Sequence, residues 1–409
     1  MQNLVRLDPQ KPLKLTDKHF INHRFDYYAH LREQLPVHQA KIMGMGVYVV
    51  SRYEDCLMIT KDKRFVRDRS TATGGSKFPF PVPKNISFLI NSMIISDDPE
   101  HKRLRSLVQK AFAPKSLRHL EENLRTYCRD LLQPLRAQGE FDFQQAYALQ
   151  VPSKMIADML GIDADEDMQV FRKTMRVLSE GMSGWSIMRT MFWDLAKSVR
   201  FVRELIERKR QAPGDDILTS LLEAEENGDQ LNEEELVSMV FLLIVAGYET
   251  TVHLISNGLL ALLDHPEQMQ RLRDEPQLMG SAVEEMLRFC GPIHGTKMNY
   301  ALEDIEIRGV RIPKGSAVMP LLGSANRDGA EFENPDVFDI GRSDNKHLAF
   351  SQGNHFCLGA FLARMETRVA FEELLNEAAS IELAIPRQQL EVQNLPGWYR
   401  HMSMPVRVS

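Results

Sequence analysis

The feature that most constrains the fold of this chain is a long segment that is apolar on nearly every side. Asn232 and Glu235 precede it with the spacing of a helix capping box, with Asn in the place of Ser or Thr. From residue 237 to residue 259, apolar residues recur at helical spacing, and the positions between them are apolar or small as well. Because a helix that is apolar all round is buried inside a protein, this segment predicts a core helix. It should run for about 30 residues, cross the molecule and end near His265-Pro266.

The remaining secondary-structure signals are mainly helical, with short strands in two places. Helical patterns dominate between about residues 100 and 290. One strand signal is GVYVVSRYED, residues 46–55, and the other is DIEIRGVRIPKG, residues 304–315. In the second, apolar residues alternate on both sides of an Arg-Gly turn, as in a β-hairpin. The sequence therefore predicts a mainly α fold with small β-sheets, in the α+β class.

The charge balance and the longest apolar run exclude two classes of partner. The 409 residues carry 50 basic and 56 acidic side chains, a net charge of −6, whereas nucleic-acid binding usually requires a basic face. The first residues, MQNLVRLDPQKPLKL, mix charge with proline and do not resemble a leader peptide. The longest apolar run, MVFLLIVAGY at residues 239–248, is too short to span a bilayer. We therefore expect a soluble, cytoplasmic protein with no membrane span and no nucleic-acid partner.

The four cysteines, at positions 56, 128, 290 and 357, lie too far apart to form a CxxC metal or redox motif. Free thiols fit a reducing compartment, and we expect the first three to be small buried hydrophobes. Cys357 differs because it stands in FSQGNHFCLG, residues 350–359, just before a helical pattern. Apolar residues recur on one side of that pattern, whereas Arg364, Glu366 and Arg368 fall on the other.

The position of Cys357 at or just before a helix start favours a thiolate. Free backbone N–H groups and the positive end of the helix dipole stabilise an anion there. Gly353 and Gly359 would let the backbone bend tightly and approach a flat partner closely. An open thiolate without neighbouring ligands suits one axial bond to a metal that brings its other ligands along, as haem iron does. A reactive-cysteine enzyme is the alternative, but that chemistry requires a paired base.

The loop FSQGNHFCLG resembles the F-x-x-G-x-H-x-C-x-G motif of the cytochrome P450 superfamily, the haem-thiolate monooxygenases. Four motifs appear in the order of that family, and the resemblance covers nearly the whole chain. It implies haem b (iron protoporphyrin IX) with Cys357 as the axial thiolate and metal ligand. It also implies one domain, residues 1–409, shaped like a triangular prism, with a β-richer part (about residues 1–70 and 295–325), a helical body and the long helix over the haem. Within the loop, the implied cofactor-binding residues are Phe350, Gly353, His355 and Gly359.

A second motif, AGYETT at residues 246–251, lies in the middle of the long helix and resembles the family motif A-G-x-D/E-T. A buried carboxylate and hydroxyl need partners, because burying them unpaired costs several kcal/mol. In a purely structural interpretation, Thr250 bonds the carbonyl four residues earlier and Glu249 finds a partner elsewhere. In the functional interpretation that the resemblance implies, the helix opens, water enters, and Glu249 and Thr250 deliver protons for oxygen activation. Ala246 is then a cofactor contact.

A third motif, Glu285 to Arg288, resembles the family motif E-x-x-R and places both charges on one helix face. Such a pair usually lies on the surface and contributes little. The resemblance implies instead a buried network with Arg342, in PDVFDIGR, that braces the cysteine loop.

The fourth motif is DDPEHKRLRSLV, residues 97–108, in which His101 and Arg105 are four residues apart on a predicted helix. In the family these positions bind haem propionates, as His355 does, and an arginine fork suits a carboxylate. Without the other motifs, His101 would be an ordinary surface histidine. The chain departs from the pattern at Asn299, where many bacterial relatives have a propionate-binding arginine. Lys297 is a candidate for compensation.

The resemblance implies a monooxygenase that inserts one oxygen atom from O2 into a lipophilic small molecule, by hydroxylation or epoxidation. Because the chain has no flavin or iron–sulfur motif, electrons must come from a separate partner, a ferredoxin with its ferredoxin reductase, or a flavodoxin. Candidate docking residues are Lys102, Arg103, Lys110 and Arg364, for which plain solvated charges are the alternative. By position, the substrate pocket should draw on Leu89, Ile94, Leu242, Val245, Thr296 and Trp398, with Phe78 and Phe80 in an access segment and residues 182–193 as a lid. For each, a core role is the alternative.

Two other classes of function compete with this one. The first keeps the haem but has another activity, as an isomerase, a dehydratase or a peroxide-driven hydroxylase. Family members of those kinds often lack the acid–alcohol pair that this chain retains at Glu249 and Thr250. The second is a non-enzymatic carrier of a hydrophobic ligand, which leaves Cys357 and its flanking glycines without an explanation.

Overall fold

The computed structural model describes residue 5 and residues 7–78, 92–162, 167–171, 195–226 and 229–409. Helices dominate this part of the chain, as the sequence predicts. They are α1 (Lys18–Asn22), α2 (Arg24–Gln34), α3 (Tyr53–Lys61), α4 (Arg69–Thr73), α5 (Glu100–Gln109), α6 (Pro114–Leu117), α7 (Leu120–Gln138), α8 (Gln150–Leu160), α9 (Leu195–Gln211), α10 (Ile217–Leu222), α11 (Glu233–Asp264), α12 (Pro266–Asp274), α13 (Met279–Cys290), α14 (Leu322–Ala325) and α15 (Ala360–Glu377). A π-helical turn (Gln144–Ala148) precedes α8, and short 3-10 turns include Gly353–His355 in the cysteine loop.

Within the described ranges, the strands are short and form four sheets. They are β1 (Leu13–Lys14), β2 (Val37–Ile42), β3 (Met45–Val50), β4 (Phe65–Val66), β5 (Glu140–Asp142), β6 (Glu225–Glu226), β7 (Asp229–Gln230), β8 (Asn299–Ala301), β9 (Ile305–Ile307), β10 (Val310–Ile312), β11 (Ala317–Pro320), β12 (Ile381–Leu383) and β13 (Pro405–Val408). The largest sheet has the order β1-β2-β3-β11-β8-β4 and includes β3 from the first region with a strand signal, whereas the second region forms the separate pair β9-β10. The strand signals in the sequence therefore miss the other strands, most of which are too short to show a periodic pattern. The other sheets are the three-stranded β12-β13-β5 and the pairs β9-β10 and β6-β7.

Two local predictions from the sequence are confirmed in detail. The hairpin β9-β10 turns at Arg308 and Gly309, both with positive φ (51° and 77°), as a tight hairpin turn requires. The capping box at the start of α11 is also present. The Glu235 N–H donates to Asn232 Oδ1 at 3.0 Å, and the Asn232 N–H donates to Glu235 Oε2 at 2.9 Å.

Helix α11 is the centre of the molecule, as its composition predicts. It has 32 residues and ends just before His265-Pro266, which corresponds to about 48 Å at the usual rise per residue. It packs against α8, α13 and α15 in the largest hydrophobic core cluster. By length and hydropathy alone α11 would suffice to cross a membrane, but 67% of its most apolar window is buried inside the protein. These contacts fit a core helix.

The close packing on α11 and the state of three cysteines follow from the same core. A Cβ added at Gly258 would lie 2.8 Å from the sulfur of Met286, so glycine at this position favours the close approach of α13 to α11. Cys56, Cys128 and Cys290 are buried, as the sequence predicts. Burial raises the pKa of all three thiols, to about 12 for Cys128 and Cys290, so these cysteines act as small apolar side chains.

Candidate functional site

A cavity of about 300 Å³ lies between the middle of α11 and the cysteine loop. Its lining is mostly apolar and includes Leu242, Leu243, Phe350 and Leu362. The Cys357 thiol is in one wall, and Ala246 and Thr250 of α11 also line the cavity. The structure thus brings the cysteine loop and the AGYETT motif to one space, although 106 residues separate Thr250 from Phe356 in the chain.

The cysteine loop is held by backbone bonds and by one position that only glycine can occupy. The Cys357 N–H donates to the Phe350 carbonyl oxygen at 3.0 Å. Gly353 has a φ of +70°, and a Cβ there would lie 2.2 Å from the carbonyl oxygen of Thr60. Ser351 also has a positive φ, 59°, although it is not glycine. Glycine at position 353 therefore lets the cysteine loop pack closely against α3. Gly353 does not line the cavity.

Burial and the neighbouring donors and charges act in opposite directions on the Cys357 thiol. Burial raises the pKa of the Cys357 thiol, and the N–H of Gly359 and the charges of Arg105 and Arg364 oppose this rise. The helix start is therefore not enough to ionise the thiol by itself, whereas a coordinated metal ion deprotonates a thiol outright. Among the described residues, no group of three or more His, Cys, Asp or Glu side chains could hold a metal ion. This donor set fits a metal that brings its own ligands, such as haem iron.

The E-x-x-R motif forms the buried network that the sequence analysis anticipates. Arg288 donates to both carboxylate oxygens of Glu285, at 2.8 and 2.7 Å, and neither side chain is exposed. Arg342 Nε donates to Glu285 Oε2 at 3.2 Å. The rest of the Arg288 guanidinium donates to the carbonyl oxygens of Asn326, Pro335 and Val337. The network ties α13 to the segment that leads into the cysteine loop.

In the AGYETT motif, Thr250 and Glu249 make the two contacts that a purely structural role predicts, one to a backbone carbonyl and one to a distant partner. Thr250 Oγ1 donates to the Ala246 carbonyl oxygen at 2.6 Å. Glu249 is not among the cavity residues, and its Oε1 accepts a bond from Arg400 Nη1 at 3.0 Å. Thr250 therefore faces the cavity while Glu249 lies behind it. No pattern in the sequence indicates Arg400 as this partner, because it lies 151 residues from Glu249.

Several buried polar atoms around Arg400 have no partner in the described structure. They are Arg400 Nε, Nδ1 of His253 on α11, and Nε2 of His401. Burial lowers the pKa of both histidines to about 3, and Arg400 adds to this effect at His253. Both imidazoles are therefore neutral near pH 7. Buried polar atoms of this kind are usually satisfied by ordered water, so this region behind Glu249 suits water molecules.

Glu366 on α15 corrects the sequence interpretation. The helical pattern puts it on the polar side with Arg364 and Arg368, but the structure buries it at 1% exposure. Both sides of α15 are covered at this point, because α7 and α11 pack against it. Burial raises the pKa of Glu366 to about 8, against the opposing effect of the Thr251 hydroxyl beside it. The Glu366 carboxyl group thus lies beside Thr251 of α11, the residue after Thr250, and burial makes it harder to ionise than an ordinary glutamate.

One edge of the cavity is rich in cationic and imidazole side chains. His101 and Arg105 of α5 and His355 of the cysteine loop line it, and the two imidazole rings lie 4.2 Å apart between centroids. Arg67 and Lys297 line it as well. Burial lowers the pKa of Arg105, of Lys297 and of Arg67, the last to about 10. Within the described part of the chain, no carboxylate forms an ion pair with these three cations, so the edge suits a ligand that carries its own carboxylates.

Comparison with known proteins decides the family. A model of the family "Cytochrome P450" matches residues 12–379. The chain belongs to the cytochrome P450 family. The polyketide biosynthesis cytochrome P450 PksS of Bacillus subtilis is 35% identical over 399 residues, with 96% of this chain and 97% of PksS covered. Its solved structure superimposes with a TM-score of 0.89, at 34% identity over 97% of this chain and 99% of that one.

Two further relatives extend the comparison. Mycinamicin IV hydroxylase/epoxidase of Micromonospora griseorubida is 36% identical over 373 residues, with 89% of this chain and 90% of that protein covered. The structure of P450BioI in complex with hexadec-9Z-enoic acid ligated acyl carrier protein has a TM-score of 0.86 at 34% identity, over 96% of this chain and 99% of that one. The chain is thus a cytochrome P450 monooxygenase with the P450 fold, from a family that binds haem through a cysteine thiolate.

The P450 structure brings some of the predicted pocket residues to the cavity and leaves others away from it. Ile94, Leu242 and Thr296 line the cavity. Val245 does not, because it lies on another side of α11 and is 41% exposed. Trp398 does not either; its backbone pairs with Ile293 and its ring lies 5.4 Å from the Arg400 guanidinium. Phe78 is also absent from the lining, while Leu89, Phe80 and residues 182–193 lie outside the described residues.

The candidate docking residues of this P450 fall into two groups. Arg364 donates to Glu284 at 2.6 Å and lies over the Phe350 ring. Arg103 pairs with Glu100 at 2.6 Å, with Asp229 at 3.2 Å and with Glu235 at the start of α11. Both arginines therefore hold structural elements together. Lys102 and Lys110 are exposed.

Proposed function

We propose that Cys357 is the axial thiolate ligand of a haem b in this cavity, and that the protein hydroxylates or epoxidises a lipophilic small molecule with O2. The observation that carries the proposal is the shared cavity, which is lined by the Cys357 thiol, by Thr250 of α11 and by three cations, Arg67, Arg105 and Lys297, that form no ion pair with a carboxylate of the described residues. His101, Arg105 and His355 would bind the propionates at that edge. Family membership supports the haem and the monooxygenase chemistry.

Bound haem would supply the oxygen activation, which a thiolate ligand promotes by pushing electron density onto the iron. The side chains would supply protons and exclude water. We assign to Thr250 Oγ1 the donation of a hydrogen bond into the cavity, in exchange for its present bond to Ala246. We assign to Glu249 the resupply of protons from the water-compatible region around Arg400. The Glu285, Arg288 and Arg342 network would hold the cysteine loop and take no part in the chemistry.

The apolar lining supports a lipophilic substrate. P450BioI is solved with an acyl chain on a carrier protein, and another relative is named for a mycinamicin, so fatty acyl and macrolide compounds are the first to screen. We propose that electrons come from a separate ferredoxin and its reductase, or from a flavodoxin, with Lys102 and Lys110 as candidate docking charges. We further propose that residues 1–409 form one domain and that the protein works in the cytoplasm, which the match of one family model over residues 12–379 and the bacterial relatives support.

The test is the carbon monoxide difference spectrum of the reduced protein. We expect the Soret position of a thiolate-ligated haem in the wild type, and its loss in Cys357→Ser. Cys290→Ser is the matched control, because Cys290 Sγ bonds the Met286 carbonyl oxygen at 3.2 Å and a serine hydroxyl can keep that bond. An unchanged spectrum in Cys357→Ser would contradict the assignment. Failure of the wild type to bind haem would favour the carrier function instead.

A second experiment separates the monooxygenase from haem proteins of other activity. The wild type is supplied with a fatty acid and either NADPH, ferredoxin and reductase under O2, or hydrogen peroxide alone. We expect turnover with the electron-transfer partners that falls at least tenfold in Thr250→Ala. Turnover with peroxide only, unaffected by Thr250→Ala, would show a peroxide-driven hydroxylase.

A further inference from the structure

Position 299 is occupied by asparagine, which carries no charge, whereas many P450s have an arginine at this position. The Asn299 side chain is 4% exposed, and Nδ2 lies 3.4 Å from Thr296 Oγ1 and from the Lys297 carbonyl oxygen. An amide can donate hydrogen bonds but carries no charge. Asn299 is also not among the cavity residues. Nothing on β8 itself therefore replaces an arginine fork at this position.

The register of the neighbouring strand brings another arginine to the same place. β4 pairs antiparallel with β8, with Val66 opposite Tyr300 and Phe65 opposite Ala301. Continued by one residue, this register sets Arg67 opposite Asn299. Arg67 lines the cavity, whereas Asn299 does not. The arginine of this chain, Arg67, therefore lies opposite position 299, whereas the family pattern has an arginine at position 299 itself.

The contacts of Arg67 leave part of its guanidinium free for a ligand. Arg67 Nη1 donates to the Lys297 carbonyl oxygen, while Nε is buried and has no partner in the described structure. The nearest carboxylate, Asp97, is occupied by backbone, since it accepts from the N–H groups of Arg67 and Asp68 at 2.7 and 2.9 Å. These two bonds fix the Arg67 backbone without neutralising its side chain through a direct bond.

The surroundings of Arg67 indicate what kind of ligand it faces. Arg67 lines the same cavity as His101, Arg105 and His355, and the His101 and His355 rings lie 4.2 Å apart between centroids. Arg67 therefore belongs to the same cluster as the three residues assigned to the propionates. Like charges crowded at one edge repel each other, so this arrangement is favourable only with an anionic ligand. A planar guanidinium with a free Nε–H suits a carboxylate.

We propose that Arg67 binds a haem propionate and takes over the role of the arginine that is absent at position 299. This inference rests on the haem site proposed above. It adds a cofactor-binding residue, directly after β4, that no family motif in the sequence indicates. The rival interpretation is that Arg67 is structural and only secures the Lys297 carbonyl oxygen.

The test measures haem loss from the reconstituted holoprotein to excess apomyoglobin, which does not depend on turnover. We expect Arg67→Gln to speed haem loss by about tenfold or more, the effect of losing a hydrogen bond to a charged group. The double variant Arg67→Gln with Asn299→Arg should restore most of the slow rate, because it returns the charge to β8. Arg64→Gln is the matched control, since Arg64 is exposed and pairs with Asp62. It should leave the rate unchanged.

Each outcome decides the proposal. Equal haem loss in Arg67→Gln and the wild type would overturn it, and so would a double variant that loses haem as fast as the single one. If Arg67→Gln does not fold, Arg67→Lys keeps the charge without the planar fork, and the proposal then requires haem loss a few-fold faster than in the wild type. A wild type that never binds haem would instead overturn the proposed function itself.

Discussion

Two Glu–Arg pairs, Glu285–Arg288 and Glu249–Arg400, differ in how completely their polar atoms are satisfied. On α13, Glu285 is bonded by two arginines, and Arg288 donates in addition to three carbonyl oxygens. On α11, Glu249 has one arginine, and Arg400 keeps an unpartnered Nε beside two histidines that also have nitrogens without a partner in the described structure. The side chains of the first pair are fully buried, whereas 14% of Glu249 is exposed.

The difference separates a part that must stay rigid from a part that can exchange partners. A fully satisfied buried network is rigid, because any movement leaves a charge or a donor without a partner. A pair with free polar atoms next to it can admit water and exchange bonds at lower cost. Glu366 extends the series, because it is buried with no arginine and its pKa rises to about 8. The three glutamates should therefore respond differently to the same Glu→Gln change.

The largest effect is expected at Glu285. Glu285→Gln removes the charge that compensates Arg288, and a buried charge left unpaired costs about 3–5 kcal/mol. Urea unfolding of the holoprotein should show a loss of stability in that range. Glu140→Gln is the control, because Glu140 pairs with Arg407 on the surface and such pairs contribute about 0–1 kcal/mol. Similar losses in both variants would mean that the buried network is no more constrained than a surface pair.

Glu366 should give an effect of opposite sign that depends on pH. Its folded-state pKa, about 8, is above the usual value for glutamate, so the folded state holds a proton that the unfolded state releases. Its contribution to stability is therefore full below about pH 4.5 and falls as the pH rises towards 8, by up to a few kcal/mol. Glu366→Gln should remove this decrease, so the variant gains on the wild type between pH 5 and pH 8. If the free energy of unfolding depends on pH in the same way in both proteins over this range, the raised pKa of Glu366 is contradicted.

A smaller effect is expected at Arg400. Arg400→Gln should lower the free energy of unfolding by about 1–2 kcal/mol, less than Glu285→Gln, because Glu249 is partly exposed and water can replace the arginine. A double-mutant cycle with Glu249→Gln isolates the pair, and we expect a coupling energy of about 1 kcal/mol. A coupling as large as the loss at Glu285 would remove the contrast between the two regions.

The smallest effect is expected at Ser351 in the cysteine loop. Its φ of 59° is unfavourable for a residue with a Cβ, and its buried Oγ has no partner in the described structure. Ser351→Gly should therefore stabilise the holoprotein by about 1 kcal/mol, since the relief of strain exceeds the added freedom of the unfolded chain. A higher urea midpoint checks this, with Ser343→Gly at an exposed site as the control. A lower midpoint would show that the serine makes a contact that offsets the strain.

The sequence predicts those features that depend on local spacing. The capping box of α11, the Arg308-Gly309 hairpin and the Glu285–Arg288 pair all join residues that are close in the chain. Helical periodicity, however, tells only which residues share a side of a helix and not which sides are covered. It therefore places Glu366 in solvent, although helices cover both sides of α15.

The residues that sequence reasoning misses come from distant strands and loops. Arg400 reaches Glu249 from the end of the chain, and Arg67 reaches the cavity through the pairing of β4 with β8. Which residues oppose each other in a sheet depends on tertiary register, which a single sequence does not reveal. The absence of an arginine at position 299 was visible, but its replacement on the neighbouring strand was not.

The ion pairs of Arg103 connect helix α5 to the start of helix α11. Arg103 lies on α5 between His101 and Arg105, and its guanidinium grips Glu235 in the first turn of α11 and Asp229 just before it. Further along α11, Leu242 and Leu243 line the cavity. A ligand that pushes against these leucines and tilts this half of α11 must carry α5 with it or break the pairs. Helix α5 and the start of α11 should therefore move together, so the shape of a ligand bound against α11 influences the positions of His101 and Arg105 on α5.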